Sequence, residues 1–248
     1  MLFTTSTSEA VASVSAAVEF AQAAPISADT RPAAPPAPAR ATRNEAALAD
    51  VLRHPGIWRR SAAARPAADI EPSGVAELDA LLPGGGWPRG ALTEILIEQD
   101  GIGECSLVLP ALAALTQAKK RIVFVAPPYI PYAPALVAAG IDLSQVVHID
   151  ANAADTHWTA EQCLRAGCCG AVLNWLPKAD YRQLRRLQLA AETGAAIGFV
   201  FRPLHAAKET SPAALRLQVT VRESGPRIDI LKCRGRFGDA TQAIQLRA

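Results

Sequence analysis

Residues 91–106, Ala91-Leu92-Thr93-Glu94-Ile95-Leu96-Ile97-Glu98-Gln99-Asp100-Gly101-Ile102-Gly103-Glu104-Cys105-Ser106, read as an apolar strand, a polar loop with two glycines and the start of a helix. In a doubly wound sheet the loop after the first strand is where phosphate binds. The P-loop pattern is G-x-x-x-x-G-K-[ST]. Laid on this loop, it sets Glu98 at the first glycine and Gly103 at the second, with Gly101 between them. Glu104 falls where the lysine belongs, and Cys105 where the magnesium-binding hydroxyl belongs. A phosphate loop works because backbone N–H groups, a helix N-terminus and a lysine all favour negative charge. Glu98, Asp100 and Glu104 oppose it, each by on the order of several kcal/mol against a nearby triphosphate at an effective dielectric of about 20. The loop therefore reads as a self-capped helix start whose acids serve the helix dipole, not as a nucleotide site.

Outward from this loop the chain alternates strands and helices. Strands are expected at 91–97, 121–126, 146–149, 170–174 and 195–201, and helices within 70–82 and at 104–117, 134–139, 159–166 and 179–193. Short apolar strands with little alternation, separated by helices, indicate a mostly parallel sheet covered on both faces. Residues 215–223 and 226–232 alternate like a hairpin turning at Ser224-Gly225, and are expected to extend the sheet antiparallel. Residues 1–43, rich in Ala, Ser, Thr and Pro, read as a disordered tail. Residues 44–69 read as a helical arm and linker: Ala47, Leu48, Val51 and Leu52 are helically spaced, His54-Pro55-Gly56 ends the helix, and Trp58 and Arg59 follow in an arm that either docks a partner or packs on its own domain. The core is expected over 70–240, with 241–248 a C-terminal tail.

Half of the 248 residues are hydrophobic, enough for a sizeable core, and the net charge of +2 is too balanced to argue for nucleic acid. The five cysteines form no C-x-x-C pair and no secretory signal precedes them, so they read as reduced thiols of a cytoplasmic protein. No run is long enough to span a membrane. The four histidines show no paired spacing and no metal-ligand cluster is visible; Cys105, at a helix start, is expected to be at most a mildly acidified thiol.

The stretch from Ser73-Gly74 through Leu78-Asp79 and Gly84-Gly85-Gly86-Trp87-Pro88-Arg89-Gly90 into Thr93-Glu94-Ile95 resembles the opening of the RecA ATPase core. The likeness continues through Phe124-Val125, Gly140-Ile141-Asp142 and Leu176-Pro177-Lys178-Ala179 to Ile230-Leu231-Lys232-Cys233-Arg234. More closely, residues 44–240 resemble ImuA, the RecA-like, SulA-like accessory family of bacterial translesion synthesis. The strings that carry this likeness are His54-Pro55-Gly56-Ile57-Trp58-Arg59, Leu82 to Gly90, Glu98 to Glu104 and Lys232-Cys233-Arg234-Gly235-Arg236.

The resemblance implies an α/β fold: a RecA-like P-loop NTPase core with antiparallel C-terminal strands and a degenerate nucleotide site. It puts the catalytic glutamate position at Pro128 and the Walker B aspartate position at Asn174. With the lysine and hydroxyl also gone, four parts of phosphoryl-transfer chemistry are missing, so no enzyme activity and no cofactor are expected. The first DNA-binding loop of RecA looks deleted after Lys178-Ala179; the second corresponds to 203–213, which keeps His205 and Lys208. The implied role is assembly of a damage-induced mutasome with ImuB, an error-prone DnaE-type polymerase and RecA. Candidate contact residues are Trp58 and Arg59, the basic helix face Arg182, Arg185 and Arg186, and the run Lys232, Arg234 and Arg236. Tyr129 and Tyr132, among Pro127, Pro128, Pro131 and Pro134, form a stiff loop that offers a docking edge or packs over the dead site. Two other readings stand beside this one: a SulA-type division inhibitor that binds FtsZ, and a weak ATP-binding repair protein.

Overall fold

The computed structural model describes residues 70–82, 84–222, 225–234 and 242–245. Arg236 and the whole of the expected N-terminal tail and arm, with Trp58 and Arg59, lie outside them.

The central strand is β3 (Ala91–Ile97), buried at every position. A strand can be apolar throughout only if both its faces are covered, and two core clusters cover this one. On one face Ile95 and Ile97 pack with Ile122, Phe124, Leu173, Phe199 and helix α2 (Leu109–Gln117). On the other, Leu92 packs with Val123, Val172 and Val200 under α4 (Thr156–Arg165) and α5 (Tyr181–Gly194). Gln188 of α5 accepts a hydrogen bond from the Leu92 N–H at 3.0 Å, which ties the longest helix to the central strand.

The remaining strands are β4 (Arg121–Val125), β5 (Val146–Ile149), β6 (Cys169–Trp175), β7 (Ile197–Pro203), β8 (Leu215–Arg222), β9 (Gly225–Cys233) and β10 (Gln242–Gln245), with the short helix α3 (Ala133–Ala138) between β4 and β5. Their order across the sheet is β10-β9-β8-β3-β7-β6-β4-β5. The strands from β3 to β8 in sequence are parallel where they pair, and β9 and β10 are antiparallel. This is a mixed α/β fold with a mostly parallel sheet. Before it, β1 (Ile70–Glu71) and β2 (Trp87–Pro88) form a two-stranded antiparallel ribbon around α1 (Ala76–Leu81). Trp87 of this ribbon is fully buried, edge-on to Phe199 at 5.3 Å.

Three expectations change. The first strand of the C-terminal hairpin, β8, joins the sheet parallel to β3; only its partner β9 runs antiparallel. The reason is the return segment 203–214, which runs back past the sheet and is pinned by Arg216 to the carbonyls of Ala206 and Glu209 at 2.7 and 2.9 Å. The segment read as a C-terminal tail contains β10, paired with Arg227–Ile230 of β9. The helix expected from Glu104 begins as a 3-10 turn over Glu104–Leu107, and α2 follows it from Leu109. Pro110, at the second helical position, suits a helix start there.

Candidate functional site

The parallel strands end together at one rim, where open α/β sheets carry their ligands. Three loops meet there: 98–103 after β3, 126–132 after β4 and 176–180 after β6.

The first loop turns on Gly101 and Gly103, with φ of +82° and +89°, values that favour glycine. Glu98, Gln99 and Asp100 are exposed. Glu104 is buried, and its carboxylate accepts the Gly101 N–H at 3.3 Å. The Ser106 hydroxyl donates to the Gly103 carbonyl at 2.6 Å. A loop donor that would face phosphate in a working site is thus occupied by the side chain standing at the lysine position. Desolvation, and second the Glu104 charge, push the Asp100 carboxyl above its ordinary value. The same two causes push the Cys105 thiol up to about 12. That agrees with the expectation that Cys105 is at most mildly acidified and goes further: the thiol packs against the first core cluster beside a carboxylate, and both disfavour the thiolate.

Beneath the loops lies an aromatic row. Phe124 and Trp175 stack at 6.4 Å, and Trp175 and Phe201 at 4.6 Å. The cavity beside them, between Glu98, Asp100, Trp175 and Arg202, is about 120 Å³, below the roughly 300 Å³ at which small-molecule pockets begin. Asn174 is buried at the end of β6, and Pro128 is exposed at the end of the strand beside it.

The second loop covers the first. A Cβ placed on Gly101 would come within 3.1 Å of the Tyr129 ring. Tyr129, Ile130 and Tyr132 are 66%, 85% and 72% exposed. Three large apolar side chains in four residues, held out by prolines, make an interaction surface. The prolines and tyrosines signal this loop in the sequence, but the most exposed member, Ile130, carries no signal of its own.

The other predicted contacts are scattered. Arg182 and Arg185 are exposed on α5, while Arg186 pairs with Glu161 of α4 at 2.6 Å. Lys232 donates to the Ser211 carbonyl at 2.7 Å, and Arg234 lies 3.9 Å from Glu192. Both stand at the end of β9, opposite the start of β8 and so at the far end of the sheet from the loops. The segment 203–213 contains a 3-10 turn, Leu204–Lys208, with His205 and Lys208 exposed and its carbonyls turned to Arg216.

Sequence reasoning also missed a buried ionic cluster. Glu94, fully buried in β3, pairs with Arg202 of β7 at 3.2 Å and Arg216 of β8 at 2.5 Å. Arg202 also reaches Glu209 at 2.8 Å. A lone acid inside an otherwise uncharged strand was the available signal.

The family model described as "Cell division inhibitor SulA" matches residues 90–198. The SulA of Photorhabdus laumondii is 37% identical over 82 residues, 33% of this chain and 46% of that protein. The chain thus spans about half the length of that relative. The SulA of Yersinia pestis strain Pestoides F is 29% identical over 131 residues, 52% of this chain and 78% of that protein. The crystal structure of SulA from Pseudomonas aeruginosa aligns with a TM-score of 0.39 and 24% identity, over 45% of this chain and 97% of that one. Residues 90–198 are thus similar to the SulA family. The expectation of a translesion accessory protein is corrected accordingly, because the relatives that match are named as division inhibitors. Among the described residues no helix is long and apolar enough to cross a membrane.

Proposed function

We propose that this chain is a SulA-type inhibitor of cell division that acts in the cytoplasm by binding, without catalysis, to the tubulin-like protein FtsZ. The observation that carries the reading is the family match over 90–198, which takes in the 126–132 loop with its exposed Tyr129, Ile130 and Tyr132. Aromatic side chains on a stiff loop lose little entropy on docking and supply most of the binding energy of small interfaces. The proposal also takes the core as a RecA-like domain whose nucleotide site has been given up. Supporting this are Glu104 turned into its own loop, the aromatic row under the loops, and the side chains of Asn174 and Pro128 at positions where the resemblance implies acids.

The test is a sedimentation and GTPase assay of FtsZ with the purified full chain. Substoichiometric to equimolar chain should suppress FtsZ assembly. The triple variant Tyr129→Ala, Ile130→Ala, Tyr132→Ala should weaken this at least about tenfold, since each lost anchor is worth on the order of 1 kcal/mol or more. Its circular dichroism should be unchanged. FtsZ that assembles normally beside excess wild-type chain would sink the reading.

A further inference from the structure

Three thiols meet at the end of the sheet away from the loops. Cys163 lies in the last turn of α4, Cys168 in the connection that follows, and Cys169 at the first position of β6. Gly167, with φ of +70°, makes the turn between them. The Cys168 and Cys169 sulfurs are 3.9 Å apart, and Cys163 is close enough for its thiol to interact electrostatically with both. The three differ in access: Cys168 is exposed, Cys163 half-buried and Cys169 buried. Cys163 and Cys169 pack on the second core cluster. Burial, and then the Cys168 charge, push both of those thiols up, Cys169 to about 12. Cys168 is therefore the sulfur that water and solutes reach, with a second thiol waiting behind it.

We propose that this cluster is a thiol-oxidation site, in which Cys168 reacts with a hydroperoxide and Cys163 resolves the product to an intramolecular disulfide. The Cys168 thiolate attacks the terminal oxygen of the hydroperoxide and the O–O bond breaks. Sulfur is oxidised to the sulfenic acid, and the leaving oxygen departs as hydroxide or alkoxide and takes up a proton. The Cys163 sulfur then attacks the sulfenic sulfur, expelling hydroxide, which takes the Cys163 proton and leaves as water. Two thiols and one hydrogen peroxide thus give one disulfide and two waters. Oxidation follows access, which puts the exposed Cys168 first. Cys163 is the resolving partner because consecutive Cα atoms are about 3.8 Å apart, under the roughly 4.4–6.8 Å that unstrained disulfides span. A Cys168–Cys169 bridge would be strained. Four residues, ending in the Gly167 turn, separate Cys163 from Cys168 and free that pair of the restriction.

The test uses the full chain, hydrogen peroxide as the probe, and N-ethylmaleimide to quench, followed by non-reducing tryptic mass spectrometry. Arg165 lies between the partners, so cleavage separates peptide 122–165 from peptide 166–178. A disulfide from Cys163 to either later cysteine joins the two peptides, whereas a Cys168–Cys169 bridge stays inside the second. We expect joined peptides that dithiothreitol separates. The link should vanish in Cys163→Ser and Cys168→Ser and persist in Cys169→Ala. On the wild-type chain, which needs no variant to fold, dimedone should trap a sulfenic acid on Cys168 ahead of the link. A link that survives Cys168→Ser, a bridge inside peptide 166–178, or Cys168 driven to sulfinic acid with no link would each overturn the proposal.

Discussion

Glu94 is where a single side chain decides most. It is an acid in the middle of the central strand, and burying it alone would cost several kcal/mol. Arg202 and Arg216, on the two strands that flank β3, repay that cost and carry it outward to Glu209 and the 204–209 carbonyls. Glu94→Gln keeps the shape but leaves two buried guanidinium groups short of one negative charge. It should lower the unfolding free energy by about 3–5 kcal/mol, read as a fall in the urea midpoint with the slope unchanged. Asp142 offers a test by pH. The Ser144 hydroxyl, Lys119 and the Ser144 N–H hold its carboxyl down at about 2, below the ordinary 3.8. A lowered folded value adds stability at pH above the unfolded value and loses it as pH falls through the folded one. Asp142→Asn should therefore be less stable than wild type near neutrality, and the gap should close between about pH 4 and about pH 2. A gap that persists below about pH 2 would show that the contacts are not electrostatic. At this scale the acids of the 98–104 loop were legible because charge is a property of residue type. The raised Cys105 was not, since it depends on which atoms surround the sulfur.

Between elements, the tightest contact is that of α4 with α5. A Cβ on Gly194 would sit 2.0 Å from the Leu164 carbonyl oxygen, a backbone atom that cannot swing aside. Gly194→Ala must push the helices apart, and should cost about 3 kcal/mol or more, measured by thermal or urea unfolding. A milder change tests the other end of α5. Asp180 accepts the Gln183 N–H at 2.7 Å while the Gln183 side chain accepts the Asp180 N–H at 2.9 Å, a reciprocal capping box. Asp180→Ala should cost about 1 kcal/mol, with the loss confined to the first turn of α5 in hydrogen exchange. The strands β3 to β7 were readable because each is a short, largely apolar run; β3 and β5 fall where their residues put them. Pairing was less readable. Whether β8 runs parallel to β3 depends on how the 203–214 return is anchored, and its anchors, Arg202 and Arg216, look like ordinary strand residues until Glu94 is placed between them. The 3-10 turn at Glu104–Leu107 was hidden for a similar reason, since its lead residue is held by a side-chain bond back to Gly101.

Across the whole molecule, the two ends of the sheet have different chemistry: an apolar and acidic rim at 98–103 and 126–132, and thiols with basic strand ends at the other. Core motifs fixed the architecture but did not identify the partner, because a shared core is compatible with many surfaces. The translesion reading rested on such core strings and on an arm outside the described residues, whereas the partner surface proposed above is the exposed loop at Tyr129–Tyr132. Nucleotide binding would likewise be a property of the whole rim rather than of one residue. Restoring the consensus with Glu104→Lys and Cys105→Thr would supply a cation and a hydroxyl. It would also strip the Gly101 N–H of its acceptor and bury a lysine where a hydrogen-bonded carboxylate sat. Asn174 would still hold no metal, and the Trp175–Phe201 stack would still fill the rim. The double variant should therefore show no saturable, magnesium-dependent binding of a fluorescent ATP analogue at millimolar concentration, and should unfold more easily than wild type. Saturable binding gained from those two changes alone would mean that the rim is intact and that only the lysine and the hydroxyl separate this chain from a working ATPase.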